Sequence, residues 1–138
     1  MEGTTISWAI YGKLAHSSRP GYRDSFDDRV TMVTQTEVDL WLKEADRIGV
    51  KSIICFLDDE HLCLYEKIPG GLIAYYREKG YEVAHIPEKD FRFPPLSLKS
   101  LKEAGAAYSA LPKPVLVHCS AGIGRTGEAI DYIRKVEG

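Results

Sequence analysis

One short run near the end of the chain combines a nucleophile, small residues and a cation. The run reads His118, Cys119, Ser120, Ala121, Gly122, Ile123, Gly124, Arg125, Thr126 and Gly127. Cys119 supplies a nucleophile, and Arg125, six residues later, supplies a planar cation that can hold two phosphoryl oxygens. A thiolate that faces a bound phosphate ester can attack its phosphorus atom. The run therefore predicts a loop that binds a phosphate ester and cleaves it.

Small residues in the run suit a backbone that curls around an anion. The N–H groups of such a loop and of the helix that follows converge on one point and favour negative charge there. Gly122, Gly124 and Gly127 allow tight curvature and positive φ angles. The same positive field should stabilise the thiolate form of Cys119. We expect substrate binding by a set of loop residues, namely Ser120, Ala121, Gly122, Ile123, Gly124 and Arg125.

Two further residues of the run, His118 and Thr126, are predicted to support the nucleophile. Thr126 is placed to donate its hydroxyl to the Cys119 sulfur, which would ease departure of the thiolate when the covalent intermediate breaks down. His118 is expected to position the loop through hydrogen bonds. A buried structural cysteine beside a glycine-rich turn is the alternative, but burial alone would not need an arginine here.

A strand must precede the run and a helix must follow it. Residues 115–118 are predicted as the last core strand, and a helix is predicted roughly over residues 126–136. Further strands are predicted over residues 6–10, 29–33, 50–57 and 81–86. Further helices are predicted from Thr36 to Gly49, with Thr36 and Asp39 as a capping box, over residues 69–79, and over residues 97–110 with Ser97 as the cap.

Alternating strands and helices predict an α/β fold with a central, mostly parallel sheet flanked by helices. Ligands of such sheets bind beyond the carboxyl ends of the strands, and Cys119 lies at such an end. The phosphate-binding loop should therefore join the last core strand to a helix. With 138 residues and 44% hydrophobic residues, we expect a single domain over residues 1–138. Residues 16–35 are expected to form a surface loop.

Charge and composition narrow the function further. A net charge of −2 gives no general attraction to nucleic acid or to an anionic membrane. The cysteines Cys55, Cys63 and Cys119 lack zinc-like spacing and favour a reducing interior without a metal or other cofactor. The N-terminus lacks a basic region, and no apolar run approaches the roughly 18 residues of a membrane span. A cytoplasmic localisation is therefore expected.

The run from His118 to Gly127 resembles the active-site signature of the protein tyrosine phosphatase superfamily. Flanking segments resemble its small dual-specificity-like members, archaeal and atypical. Residues 12–20 look like their N-terminal loop, residues 50–57 like their first core strand and residues 85–91 like their general-acid loop. The resemblance covers residues 11–133. It implies hydrolysis of phosphotyrosine, and also of phosphoserine or phosphothreonine, in proteins through a cysteinyl-phosphate intermediate.

The resemblance also assigns the general acid to Asp90. Asp90 would protonate the leaving oxygen while Cys119 attacks and would then activate the hydrolytic water, which predicts a bell-shaped pH profile on the acidic side of neutrality. Asp58, Asp59 and Glu60 follow another strand end and are rival candidates. Asp59 could instead order Arg125 or the acid loop, and all three could simply be solvated.

Other residues keep alternative interpretations open. Arg19 either hydrogen-bonds the phosphate loop from outside, meets the substrate or is a surface charge. Cys55 or Cys63 could pair with oxidised Cys119 if the Cα atoms lie within about 7 Å; otherwise both are small hydrophobic residues.

Two departures from the family pattern are visible. The segment of residues 21–35, between the N-terminal loop and the first helix, is longer than expected for the family and could form an insertion near the substrate. Family members usually carry further helices after the signature helix, whereas 11 residues follow Gly127, so a domain with a short C-terminus is expected.

Three other functions fit the sequence less well than a protein phosphatase does. Residues 120–124 carry no lysine, which counts against a phosphoinositide substrate. The lack of a basic groove counts against an RNA 5′-phosphate. A non-catalytic phosphate-binding module would not need both Cys119 and Asp90. The expected partner is therefore a phosphorylated protein or peptide, and the oligomeric state stays open.

Overall fold

The computed structural model describes residues 6–23, 31–89 and 93–137. In these residues five strands form one sheet with the order β1-β2-β5-β3-β4. The strands are β1 (Ser7–Ile10), β2 (Leu14–Ser17), β3 (Ser52–Cys55), β4 (Glu82–His85) and β5 (Val115–His118). Strands β2, β5, β3 and β4 are parallel, and β1 pairs with β2 in the antiparallel direction. The prediction of a mostly parallel sheet is confirmed, with one antiparallel strand at its edge.

Helices cover both faces of this sheet. Within the described ranges they are α1 (Gln35–Arg47), α2 (Asp59–Leu62), α3 (Leu72–Glu78), α4 (Leu98–Ala110) and α5 (Gly124–Glu137), with a 3₁₀ turn at Cys63–Tyr65. Alternate side chains of β3 point to opposite faces. Ile53 packs in one core cluster with side chains of α1 and α3, and Ile54 packs in a second cluster with side chains of α4 and α5. The α/β architecture is therefore the one expected.

Strand β2 was not predicted. The sequence suggested a loop over residues 12–15 and a surface loop from His16 onward, but Leu14 to Ser17 pair in register with Val115 to His118 of β5. Leu14 and Ala15 are completely buried. The four residues of β2 include no β-branched or aromatic side chain, so their own propensity for a strand is low. Tertiary pairing with the central strand decides their conformation.

Several boundaries also differ from the prediction. The capping box of α1 is formed by Thr34 and Glu37, two residues before the predicted pair Thr36 and Asp39. Residues 31–33 of the predicted strand 29–33 are not a strand, and residues 29 and 30 lie outside the described ranges. Helix α3 begins at Leu72 because Gly70 and Gly71 have positive φ angles that a helix cannot include.

Other expectations for the helices agree with the structure. Helix α4 begins after Ser97, whose side chain accepts a hydrogen bond from the Ser100 N–H as the predicted cap. Helix α5 starts two residues earlier than predicted. In the part of the chain that the structure describes, no helix combines the length and the apolarity needed to cross a membrane.

Candidate active site

The predicted phosphate loop, residues 119–125, lies at the carboxyl end of the central strand β5. Helix α5 begins inside the loop at Gly124, so the positive end of a 14-residue helix faces the loop. Cys119 and Arg125 are both buried, each with 2% of its surface exposed. The structure thus brings the buried nucleophile, the buried cation and a helix N-terminus together in one turn.

Gly122 is the glycine whose conformation this turn requires. Its φ is +82°, and a Cβ atom there would lie 2.7 Å from the carbonyl carbon and oxygen of Ser17. Gly124 and Gly127 already belong to α5 and do not have positive φ angles. The positive φ angle expected for some of the loop residues is thus found at Gly122. Of these three glycines, Gly122 is the one at which a left-handed backbone and close packing coincide.

Arg125 is held across the ends of two strands. Its Nη1 atom donates hydrogen bonds to the carbonyl of Phe56 at 3.1 Å and to the carbonyl of Glu88 at 2.6 Å. Phe56 directly follows β3, and Glu88 lies in the loop after β4. The guanidinium plane is therefore oriented by the backbone before any phosphate ester binds.

Glu88 is a site residue that the sequence analysis missed. Its backbone N–H donates to the Phe56 carbonyl at 3.2 Å. Its buried carboxylate accepts hydrogen bonds from the hydroxyl groups of Ser97, at 2.8 Å, and of Ser100. A carboxylate at the start of α4 is also favoured by the helix dipole. Glu88 therefore ties the loop that contacts Arg125 to a core helix, a role that depends on tertiary contacts and leaves no local sequence signal.

His118 supports the loop from below as a neutral side chain. Its Nδ1 atom lies 3.0 Å from the Cys119 carbonyl and must donate, so Nε2 accepts from the Tyr76 hydroxyl at 2.9 Å. Burial, with a smaller contribution from the positive charges of Arg19 and Arg125, lowers the pKa of His118 to about 4. Burial also raises the pKa of Tyr76 well above its usual value, so Tyr76 stays a donor. This agrees with the predicted positioning role of His118.

Two aromatic rings pack around this histidine. Trp41 of α1 stacks on Tyr76 with a centroid distance of 5.8 Å and meets the edge of His118 at 5.4 Å. Its indole N–H lies 3.1 Å from the Ser17 hydroxyl and 3.2 Å from the Ser18 carbonyl. The end of β2 is thereby fixed beneath the phosphate loop, although the sequence placed it in a surface loop.

Arg19 follows in the same buried segment, with 1% of its surface exposed. Its backbone N–H donates to the Ser120 carbonyl at 2.8 Å, and its Nε atom donates to the Ser120 hydroxyl at 3.2 Å. Its Nη1 atom donates to the Tyr65 hydroxyl at 3.1 Å. Of the three interpretations of Arg19, the structure supports contact with the phosphate loop from outside and excludes a plain surface charge.

Thr126 does not make its predicted contact. Its side chain is fully buried, and its hydroxyl forms no hydrogen bond with any residue in the described ranges. The predicted donation to the Cys119 sulfur is therefore not formed in this structure.

Asp90, the predicted general acid, lies outside the described residues. The residues before it, Pro87 to Lys89, border a cleft of about 770 Å³ whose other described wall is Asp58 to Glu60. The rival carboxylates therefore flank the same cleft. Asp58 is the N-cap of α2 and accepts a hydrogen bond from the His61 N–H at 3.3 Å, so this acidic segment is a helix start and not a loop.

The structure also bears on a disulfide between Cys119 and a second cysteine. The Cys55 side chain belongs to the core cluster that faces α1 and α3, whereas Cys119 belongs to the cluster that faces α4 and α5. Burial raises the pKa of Cys55 to about 12, so its thiol stays protonated. Cys55 is therefore a core residue, and its pairing with oxidised Cys119 stays a prediction. Cys63 is exposed.

Comparisons with known proteins agree with this geometry. Residues 85–133 match the family model described as protein-tyrosine phosphatase. The receptor-type tyrosine-protein phosphatase C of Mus musculus is 31% identical over 126 residues, which cover 79% of this chain and 10% of that protein. The chain thus spans about a tenth of the length of this relative.

Solved structures share the fold at lower identity. The core catalytic domain of the PP-IP phosphatase SIW14 from S. cerevisiae, in complex with citrate, is 22% identical, with a TM-score of 0.65 over 99% of this chain and 69% of that one. The active form of Tk-PTP is also 22% identical, with a TM-score of 0.58 over 95% of this chain and 83% of that one.

Proposed function

This chain is a member of the protein tyrosine phosphatase superfamily, and on that premise we propose that it hydrolyses phosphate monoesters through a cysteinyl-phosphate intermediate. The observation that carries the proposal is the pairing of two buried groups at the end of β5. Cys119 lies in the turn, and Arg125 is oriented there by the carbonyls of Phe56 and Glu88. A buried arginine that ends such a loop and is oriented by backbone carbonyls can bind a phosphoryl group.

The proposed reaction has two steps. Cys119 attacks the phosphorus atom, the bond to the ester oxygen breaks, and Asp90 gives its proton to that leaving oxygen. Water then attacks the cysteinyl-phosphate, its proton returns to Asp90, and the thiolate leaves. Arg125 and the loop N–H groups balance the charge of the phosphoryl oxygens in both steps.

As the substrate class we propose phosphotyrosine in proteins, with phosphoserine and phosphothreonine as further candidates. Two exposed apolar side chains belong to the loop or to a neighbouring segment: Ile123 is 75% exposed and Phe93 is 96% exposed. The segment that carries Phe93 lies against the loop, because a Cβ atom at Gly124 would lie 3.9 Å from Pro95. Exposed apolar side chains at the mouth of an anion site favour an aromatic ester over a sugar phosphate.

A second candidate is a phosphoinositide or related inositol phosphate, which the likeness to a PP-IP phosphatase favours. That likeness is one of fold. Against it stand the exposed carboxylates of Asp59 and Glu60, which border the cleft and repel additional phosphate groups.

The test begins with p-nitrophenyl phosphate between pH 5 and pH 8, with the wild type compared with Cys119→Ser. We expect turnover in the wild type and a loss of at least about 1,000-fold in the variant, because serine is a far weaker nucleophile at this pH. Equal rates in the two proteins would refute the proposal.

Substrate class is then compared through kcat/KM for a phosphotyrosyl peptide, a phosphoseryl peptide and a phosphoinositide at one ionic strength. We expect the phosphotyrosyl peptide to give the highest value. A higher value for the phosphoinositide would establish the second candidate.

A further inference from the structure

The turn that carries Cys119 rests on a buried floor made by the end of β2. This floor, residues 17–19, touches the phosphate loop at two points. The Gly122 Cα packs on the peptide between Ser17 and Ser18, and Arg19 holds Ser120 through both its backbone and its side chain. Ser120 is the residue directly after the nucleophile and is itself 97% buried, with 3% of its surface exposed.

Burying a guanidinium beneath a loop costs desolvation free energy. Its desolvation is offset only where its hydrogen-bond donors are matched in direction by acceptors. Arg19 meets this condition with the Ser120 hydroxyl on one side and the Tyr65 hydroxyl on the other. Tyr65 in turn donates to the Pro20 carbonyl at 2.5 Å, so its hydroxyl is directed by the same segment.

Holding Ser120 has a consequence for anion binding. The Arg19 N–H donates to the Ser120 carbonyl and Nε donates to its hydroxyl, and these two hydrogen bonds restrain both the backbone and the side chain of Ser120. The loop N–H groups that follow must point inward together if they are to bind one phosphoryl group. A free loop would lose entropy on binding that a pre-set loop has already lost.

We propose that Arg19 is a positioning residue that pre-sets the phosphate loop, through Ser120, in the shape that binds a phosphoryl group. The proposal rests on the function proposed above for the same loop. It assigns to Arg19 an effect on phosphate affinity, in addition to any effect on folding stability.

The experiment compares Arg19→Met, Arg19→Lys and Ser120→Ala with the wild type. Dissociation constants for inorganic phosphate are measured by calorimetry, KM and kcat with p-nitrophenyl phosphate, and folding by thermal melting. Arg47→Met is the matched control, because the Arg47 side chain is 67% exposed and, among the described residues, forms its hydrogen bonds within α1 to Glu44.

We expect Arg19→Met to weaken phosphate binding about 10- to 100-fold, as for loss of hydrogen bonds from a charged group. Lysine keeps the charge but cannot span Ser120 and Tyr65, so Arg19→Lys should recover less than half of the lost binding energy. Ser120→Ala should give an intermediate loss, and KM should rise more than kcat falls. Arg47→Met should match the wild type.

Phosphate affinity and KM equal to the wild type in a folded Arg19→Met protein would overturn the proposal. If that variant does not fold, Arg19→Lys and Ser120→Ala test the proposal instead. Wild-type phosphate affinity in both of them would overturn the proposal equally. Because calorimetry needs no turnover, a chain that binds phosphate through Arg19 but hydrolyses no ester would sink the proposed function and leave this inference standing.

Discussion

Burial fixes the charge states of the side chains around the loop. His118 is completely buried between Trp41, Tyr76 and the Cys119 carbonyl, and its hydrogen bonds use one nitrogen as donor and the other as acceptor. A second proton would remove the acceptor that Tyr76 requires. The neutral form is therefore part of the support of the loop, and acid should weaken that support.

The first prediction concerns folding stability against pH. The pKa of His118 is about 4 in the folded chain and about 6.5 in the unfolded chain. Between these values the unfolded state binds a proton at His118 and the folded state does not. The contribution of His118 to the free energy of unfolding is therefore fully present above pH 6.5 and is lost as the pH falls to 4. The loss should total about 3 kcal/mol. Urea unfolding at several pH values should show a smaller loss in His118→Asn, and equal losses would contradict the prediction.

A second prediction separates the candidate general acids. Asp90→Ala should lower kcat by about 100- to 10,000-fold with an alkyl phosphate and much less with p-nitrophenyl phosphate, because a good leaving group needs no proton. Asp59→Ala is the matched control, because Asp59 borders the cleft described above, and it should change both rates equally and little. Leaving-group dependence in Asp59→Ala instead would transfer the acid role to that residue.

Single elements set the geometry that these side chains need. The loop between β5 and α5 was predicted from its own residues, because a nucleophile, glycines and an arginine at fixed spacing are local signals. Strand β2 and the contacts of Glu88 were not predicted, because each depends on a partner elsewhere in the chain. Helix α4 and its Ser97 cap were predicted because a cap and an apolar stripe are also local.

The third prediction tests the packing of the loop on β2. Gly122→Ala should lower the free energy of unfolding by more than about 2 kcal/mol, because alanine at positive φ costs about 1–2 kcal/mol and its Cβ would overlap the Ser17 carbonyl. Gly127→Ala is the matched control: a Cβ there meets nothing within 4 Å inside α5, and alanine favours a helix. Chemical denaturation should show a loss in the first variant and none in the second.

The fourth prediction concerns the tie between the Arg125 contact and α4. Glu88→Ala removes the acceptor of the Ser97 and Ser100 hydroxyls and should cost about 1–3 kcal/mol of stability. The Glu88 carbonyl that orients Arg125 should then be less well fixed, and KM should rise. Glu88→Gln keeps an acceptor oxygen and should retain more than half of both properties. Identical losses in the two variants would instead indicate that the carboxylate charge is essential.

Across the whole molecule, the candidate site is assembled from every parallel strand of the sheet. The floor comes from β2, the nucleophile from β5, the Phe56 carbonyl from the end of β3 and Glu88 from the end of β4. An alternating pattern of strands and helices predicted the class of fold, and the rule that ligands bind at carboxyl strand ends predicted the edge. Which strands are neighbours is a property of the complete sheet, so the partners of Arg19 and Arg125 could not be assigned beforehand.

The contact between Arg19 and Ser120 also governs when an active chain can exist. It joins residues 101 positions apart, and the Arg125 contacts join residues 69 and 37 positions apart. We expect contacts of such long range to form late in folding, because closing a large chain loop costs entropy before the new contacts stabilise the chain. In refolding from urea, the helical circular dichroism signal should return before or together with turnover, and turnover that returned first would contradict this. A partly folded chain is then inactive, so turnover measures the fraction of chains that have folded completely.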